Sequence, residues 1–174
     1  DVIPLVFPDQ FQPGIRGKLK FFIQNWNLHR AEAIITDSHA SKKDIIKYLG
    51  ISDHKIHVVY LGVDKSFRPL NQSIREATRK KYRLPENYIL YVGDVNYNKN
   101  LPALLEAFSW LQPETSLVLV SRAWKKSIPE VDRLNKLIDN LRISNRVIKI
   151  SNLPTDSTTD LVKLYGAATV YVQP

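Results

Sequence analysis

A glycine and a lysine enclose a short, mostly polar stretch in the middle of the chain. The apolar run YILYVG ends at Gly93, and Lys99 stands just before LPALLEAF, a segment with helical spacing. In an open parallel sheet, ligands bind beyond the carboxyl ends of the strands. A helix N-terminus offers unpaired N–H groups and a partial positive charge, to which the lysine adds a full charge. This arrangement predicts a cradle for phosphate groups.

Neighbouring residues fit the same interpretation. Gly93 lacks a side chain, so a ligand or another backbone segment can approach it closely. Asn98 or Asn100 can cap the following helix, and Pro102 is tolerated in a first helical turn. The alternative is a solvated loop lysine beside a tight turn. The sequence has no Walker or dinucleotide glycine pattern that would decide between the two.

Sequence signals for strands and helices alternate along the chain, and these elements must position Gly93 and Lys99. Four apolar runs follow residue 85, namely YILYVG, TSLVLVS, RVIKIS and TVYVQP. About three strands are expected before residue 63, from the runs DVIPLVF, EAIITDS and HKIHVVYLG. Apolar strands separated by helices are typical of parallel sheets covered on both faces. We therefore predict an α/β protein with doubly wound parallel sheets.

A break in this alternation predicts two units. Residues 63–85 contain two prolines and a charged helical segment, which is typical of a linker followed by the first helix of a new unit. We expect a first unit over residues 1–62, the linker with its helix over 63–85, and a second unit over 86–174. Each unit is expected to have its own parallel sheet.

The first unit contains two helix signals. In the second of these helix signals, Ser41 fits an N-cap with Asp44 as its capping partner, and Gly50 ends the segment KKDIIKYLG. The first, RGKLKFFIQNWNLHRA, has apolar residues at helical spacing: Leu19, Phe22, Ile23 and Trp26. We favour a helix whose apolar face covers the sheet. The alternative is contact with an anionic lipid surface, in which Phe21 and Phe22 insert and the cations Arg16, Lys18, Lys20 and Arg30 meet the lipid.

Composition limits the chemistry. The net charge of +8 is compatible with simple solubility or with an anionic partner. The sequence has no cysteine, which excludes a disulfide framework and a thiolate metal site and is compatible with a cytoplasmic location. The four histidines, His29, His39, His54 and His57, show no metal-ligand spacing, so we predict no metal site.

The two ends of the chain suggest a piece of a larger protein. The sequence begins Asp1-Val2-Ile3-Pro4 without methionine, and it ends in ATVYVQP, where a strand signal stops as soon as it has formed. We therefore expect a fragment.

Four stretches resemble, in the same order, the group 1, or family 4, glycosyltransferases. They are AIITDSHASKKDI, VVYLGVDKSFRP, YILYVGDVNYNKNLPALLEAFSWL and LVKLYGAATVYVQP. The resemblance implies the GT-B fold, in which two doubly wound, Rossmann-like domains face each other across a cleft. Residues 1–62 would then end the N-terminal, acceptor-side domain, and residues 86–174 would begin the nucleotide-sugar donor domain.

The resemblance also implies a set of donor-binding residues. Gly93, Asp94, Lys99 and Asn100 would lie by the donor diphosphate. Ser121 and Arg122 would end the next strand on the same rim, and Leu153 would lie near the base. Two positions depart from the family pattern, since Asp94 stands where arginine is frequent and Ser121 where glycine is frequent. One cationic contact is therefore missing or is supplied elsewhere, with Arg122, Lys125 or Lys126 as candidates.

The implied activity is transfer of a sugar, with retention, from a GDP- or UDP-sugar to a hydroxyl of a carbohydrate or lipid-linked acceptor. A mannosyltransferase of polysaccharide or glycolipid synthesis at the inner face of the membrane fits this expectation, with no cofactor, metal or nucleic acid. The catalytic residues would lie outside the chain, as would the Glu-x7-Glu donor motif of the family, so we expect the chain to be catalytically inactive by itself. The alternative is a non-enzymatic, basic α/β module that binds nucleotide or nucleic acid.

Overall fold

The computed structural model describes residues 2–9, 14–153 and 158–174. The chain divides between Val63 and Asp64 into two compact units. One sheet of two strands lies in the first unit and one sheet of four strands in the second, and all strand pairs are parallel. The α/β class and the separation into two parallel sheets are therefore as expected. The assignment of the units to acceptor and donor stays a prediction.

In its described residues, the first unit packs three α-helices around two short parallel strands. Its small core contains Leu49, Ile51 and Ile56. Strands β1 and β2 pair in parallel, with Ile34 opposite Ile56. In chain order the elements are α1 (Ile3–Val6), α2 (Ile15–Arg30), β1 (Ile34–Thr36), α3 (His39–Leu49) and β2 (Ile56–Val58).

The apolar run at the start of the chain forms helix α1, so its assignment to a strand is wrong. Pro4 lies in the first turn of this helix, where no backbone N–H is needed for a helical hydrogen bond. Val2 and Leu5 pack against the core of the first unit. An apolar run of this length fits either element, and here its packing against that core and the proline favour the helix.

Helix α3 is capped by Ser38 and not by Ser41 as expected. Ser38 has an extended backbone, and its Oγ accepts a hydrogen bond from the N–H of Ser41 at 3.1 Å. Asp44 consequently lies inside the helix. The helix ends at Gly50, which adopts the left-handed conformation with φ 67°, as expected for a C-terminal glycine.

Helix α2 presents its apolar stripe to solvent, contrary to our expectation that the stripe covers the sheet. Phe21 and Leu28, on another side of the helix, pack against the small core instead. The stripe residues expose half or more of their surface: Leu19, Phe22, Ile23 and Trp26. Membrane contact stays a prediction for this surface. None of the helices in the described part of the chain is both long and apolar enough to span a bilayer.

The second unit is doubly wound. Its sheet has the order β5-β4-β3-β6 with all strands parallel. The four strands are those expected from the apolar runs after residue 85. In chain order the elements are α4 (Gln72–Tyr82), β3 (Tyr88–Val92), α5 (Leu101–Ser109), β4 (Ser116–Val120), α6 (Pro129–Asn140), β5 (Val147–Ile150), α7 (Thr158–Ala167) and β6 (Val170–Tyr171).

Alternate side chains of β3 and β4 enter two separate cores, one on each face of this sheet. Tyr91 and Leu119 point to the face covered by α5 and α6, while Leu90 and Val118 point to the face that carries α7. Strand residues alternate between faces with a period of two, so a strand covered on both sides is apolar at every position. This burial explains why the strand runs are almost continuously apolar.

An ion pair joins α4 to α7 on the second of these faces. The Lys81 ammonium lies 2.9 and 2.8 Å from the two carboxylate oxygens of Asp160, whose residue is buried. The hydrogen bond from Lys81 lowers the pKa of the Asp160 carboxyl. Because the folded pKa lies below the unfolded one, the pair stabilises the fold at pH values above the unfolded pKa. The contribution is lost as the pH falls through the folded pKa.

Asp160→Asn is therefore expected to lower the melting temperature at pH 7. The difference from the wild type should shrink below about pH 4, where the unfolded carboxyl becomes protonated. Melting curves between pH 7 and pH 3 measure both effects. Asp132→Asn is the control, since Asp132 is an exposed first-turn aspartate of α6. A difference for Asp160→Asn that stays constant with pH would contradict the role of the ion pair.

Candidate functional site

The order of the strands reverses beside β3. The chain passes from β3 to β4 and β5 in one direction and then returns to place β6 on the other side of β3. Ligands of doubly wound sheets bind at such a switch point, in the crevice outside the carboxyl ends of the strands. Residues 93–100 follow β3 at this point and lead into α5, so the stretch identified in the sequence lies where the topology favours binding.

The loop of residues 93–100 is fixed to the sheet at several points. The Gly93 N–H donates to the Val120 carbonyl at 3.1 Å, and the Tyr91 hydroxyl donates to the Asp94 carbonyl at 2.8 Å. Val95 is buried in the core under α5. A short 3₁₀ helix, Tyr97–Lys99, completes the connection. The loop is thus held by backbone, hydroxyl and apolar contacts.

Three consecutive N–H groups of this loop have no partner inside the described structure. They belong to Asp94, Val95 and Asn96, and no hydrogen bond joins any of them to another described residue. Successive backbone N–H groups in a turn form concavities that bind anions. The loop therefore offers fixed donors in addition to the helix terminus.

The first turn of α5 confirms one part of the expected geometry and corrects another. Pro102 lies in that turn, as predicted. Asn100 occupies the N-cap position, but neither its side chain nor that of Asn98 makes the expected cap hydrogen bond. Asn100 has a left-handed backbone with φ 45° and ψ 35°, whereas a capping side chain is usually carried by an extended residue. The helix N-terminus is thus left without a side-chain cap.

Lys99 is the last residue of the 3₁₀ helix and is half-buried. Its backbone N–H donates to the Asn96 carbonyl at 3.0 Å. Within residues 2–9, 14–153 and 158–174, no carboxylate forms an ion pair with its ammonium group. The lysine charge is consequently unneutralised at the start of α5.

The next loop begins at the same edge of the sheet. Val92 and Val120 lie opposite each other in parallel strands, so Gly93 and Ser121 leave the sheet side by side. Ser121 is buried, and its Oγ accepts a hydrogen bond from the Ala123 N–H at 3.2 Å. It thereby caps the short 3₁₀ helix Arg122–Lys125. The buried serine shapes the turn that carries the cations.

Arg122, Lys125 and Lys126 are exposed on this second loop and form no ion pair with any residue that the structure describes. Asp94, which stands where the family pattern frequently has arginine, is also exposed. Leu153 follows β5 and is partly buried against the core on the α7 face. The expected residues thus lie in loops that leave the same edge of the sheet, and their contacts with a donor stay predictions.

Gly93 has a local neighbour that sequence reasoning missed. A Cβ atom at this position would lie 2.6 Å from the Tyr91 Oη and 3.0 Å from its Cζ. The missing side chain therefore makes room for the tyrosine two residues earlier, whose hydroxyl holds the next carbonyl. A tyrosine two positions before the glycine was visible in YVG, but its orientation beneath the loop was not.

Comparison with known proteins identifies the family. The family model described as Glycosyl transferases group 1 matches residues 74–174. The chain belongs to the group 1 glycosyl transferases. The model described as Glycosyltransferase Family 4 matches residues 6–67, in the first unit. Membership in this family confirms the resemblance inferred from the four sequence stretches.

Curated relatives of this glycosyl transferase chain are much longer than the chain itself. It is 26% identical over 183 residues to the serotype-specific mannosyltransferase WbdA of Escherichia coli, covering 100% of the chain and 22% of that protein. It is 31% identical over 147 residues to the D-inositol 3-phosphate glycosyltransferase of Mycobacterium tuberculosis, covering 83% of the chain and 29% of that protein.

Solved structures share the fold. HepE from Anabaena, crystallised in complex with UDP and glucose, matches with a TM-score of 0.75 and 20% identity over 94% of the chain and 42% of that structure. Sucrose-phosphate synthase from Thermosynechococcus elongatus matches with a TM-score of 0.71 and 21% identity over 97% of the chain and 42% of that structure. These similarities confirm the α/β fold of the GT-B glycosyltransferases.

Gly93→Ala is expected to lower the free energy of unfolding by about 1–3 kcal/mol, the usual cost of overpacking. The backbone at Gly93 does not have a positive φ, so the penalty should come from the contact with Tyr91. In a Tyr91→Phe background the added loss should be smaller, because the nearest atom is removed. Chemical denaturation of the four proteins measures this coupling.

Gly62→Ala serves as the control, since a Cβ there meets nothing within 4 Å. Strictly additive effects of Gly93→Ala and Tyr91→Phe would contradict the proposed contact.

Proposed function

We propose that the protein to which this chain belongs transfers a sugar from a nucleoside diphosphate sugar to an acceptor hydroxyl. In this proposal the second unit is part of the donor-binding domain, and the donor diphosphate lies against residues 93–100. The observation that carries the proposal is the loop at the switch point. It combines a helix N-terminus with fixed N–H groups and a Lys99 ammonium that have no hydrogen-bond or ion-pair partner, respectively, among the described residues.

The proposed site stabilises the leaving group. As the bond between the sugar and the diphosphate breaks, negative charge grows on the diphosphate. Lys99 supplies a full positive charge beside it. The loop N–H groups and the start of α5 supply partial charges that are already oriented before the reaction. Groups that bind the developing charge more strongly than the intact donor increase the rate of the chemical step.

The second loop supplies the remaining cationic contact in this proposal. Arg122 is separated from the end of β4 by the buried Ser121 alone, which fixes the start of its turn. Lys125 and Lys126 are the alternatives on the same turn. Leu153, after β5, is proposed to contact the base through its apolar side chain, on the part of the rim farthest from β6.

The sugar and acceptor are proposed from the relatives. WbdA and the O-antigen chain mannosyltransferase B of Escherichia coli are mannosyltransferases. We therefore propose mannosyl transfer, with retention, to a carbohydrate or lipid-linked acceptor in polysaccharide synthesis. Both donors expected from the sequence, GDP- and UDP-sugars, are to be tested. The HepE crystal contained UDP, which keeps UDP-sugars among the candidates. The alternative of a non-enzymatic nucleotide- or nucleic-acid-binding module is not favoured by the family membership.

The test is Lys99→Ala in the full-length enzyme. Removal of one charge-assisted contact, worth about 1.5–3 kcal/mol, should lower kcat/KM for the donor roughly 10- to 150-fold. Most of the loss should appear in kcat, because the contact strengthens as charge develops. Lys99→Arg should retain part of the activity, since it keeps the charge and changes the geometry. Steady-state kinetics with GDP-mannose and UDP-glucose, beside melting curves, measure these effects.

Lys136→Ala is the charge-matched control, because Lys136 is exposed on α6. Its kinetics should match those of the wild type. Unchanged kinetics of Lys99→Ala, with a normal melting curve, would show that Lys99 is only a solvated charge and would remove the main support for the diphosphate site.

A further inference from the structure

Tyr91 lies beneath the loop that is proposed to hold the diphosphate. Its side chain is fully buried in the core formed with Leu105 and Phe108 of α5. Its hydroxyl leaves this core at the carboxyl end of β3 and donates a hydrogen bond to the Asp94 carbonyl at 2.8 Å. Burial raises the pKa of Tyr91 to about 12. The hydroxyl is therefore protonated at neutral pH and available as a donor.

This hydrogen bond fixes the orientation of one peptide group. The Asp94 carbonyl and the Val95 N–H belong to the same planar peptide, which is trans, so the two groups point in opposite directions. A carbonyl held toward the Tyr91 hydroxyl directs the Val95 N–H away from it. That N–H makes no hydrogen bond to any other residue in the described ranges. Burial of the Val95 side chain prevents the residue from turning freely.

We propose that Tyr91 is a positioning residue for sugar transfer, which holds the Asp94–Val95 peptide so that the Val95 N–H binds the donor diphosphate. This inference rests on the proposed function of residues 93–100. It assigns to a backbone group the contact that Asp94 cannot make with its own side chain, since a carboxylate repels phosphate. Tyr91 itself does not touch the donor and acts through the peptide that it orients.

The same strand provides a matched control. Tyr88 is also buried, and its hydroxyl donates to the Leu164 carbonyl at 2.9 Å. Burial likewise raises the pKa of Tyr88 to about 12. Tyr88, however, begins β3 and holds α7, while Tyr91 holds the loop. Removal of either hydroxyl should therefore cost similar stability, and only removal of the Tyr91 hydroxyl should change diphosphate binding.

The experiment compares Tyr91→Phe, Tyr88→Phe and Lys99→Ala in the full-length enzyme, with UDP and GDP as calorimetric probes. Tyr91→Phe should raise the Kd of the bound nucleotide about 2- to 12-fold, the range that one neutral hydrogen bond supplies. It should also lower kcat, because the N–H contact strengthens on the departing diphosphate. Tyr88→Phe should leave both values within 2-fold of the wild type, a limit of about 0.4 kcal/mol, at a comparable loss of melting temperature.

A second measurement does not depend on the stability of the Tyr91→Phe variant. In protein labelled with ¹⁵N-valine, the Val95 amide resonance, assigned through Val95→Ile, should shift when UDP or GDP is added. The shift should be larger than that of valines in the sheet interior, such as Val118.

The outcomes separate the two proposals. If Lys99→Ala weakens nucleotide binding while Tyr91→Phe and Tyr88→Phe behave alike, the positioning role of Tyr91 is overturned and the proposed function stands. An unmoved Val95 resonance at saturating nucleotide overturns the same inference. If the wild-type enzyme binds neither UDP nor GDP, the proposed function is overturned and the role of Tyr91 with it.

Discussion

Strand β3 is hydrogen-bonded on both sides, to β4 and to β6, and it is the strand beside which the direction of the sheet reverses. Both constraints act at its carboxyl end. Pairing with β4 continues through the Gly93 N–H, so the chain leaves the sheet at a fixed point. Strand β4 is also hydrogen-bonded on both sides, to β3 and to β5, but the strand order does not reverse beside it.

The alternation of apolar runs and helical segments was sufficient to predict the second unit. Strands β3 and β4 place side chains in the cores on both faces, and burial of this kind is recorded directly in sequence as continuous apolar runs. Gly50 was predictable from the local sequence, because the left-handed residue that ends a helix is most often glycine, although α4 ends at a left-handed Arg83. The shared edge of the loops after β3 and β4 followed from parallel pairing alone. These features depend on local composition and on topology.

The features that were missed depend on tertiary contacts, which decide between residues that fit the local sequence pattern equally well. Ser38 and Ser41 are both competent caps, and the choice between them is made by where β1 ends and the chain turns. In α2, helical spacing identified an apolar stripe but not the side of the helix that meets the core, because Phe21 and Leu28 form a second apolar side. The contact between Tyr91 and the loop required knowledge of the face to which the tyrosine points.

In the loop of residues 93–100, the partial charges of the backbone N–H groups and the full charge of Lys99 have different roles. The N–H groups of residues 94–96 are held by the sheet, by Val95 and by Tyr91, so they need no rearrangement when a charged group arrives. A lysine on a flexible stem supplies more charge but must lose conformational freedom to use it. In the proposed site Asp94 supplies no cation, so the fixed donors would carry a larger share of the interaction with the diphosphate. The rigidity of Tyr91 beneath the loop would then be a condition for binding, since a peptide that is free to rotate would also present its carbonyl to the phosphate.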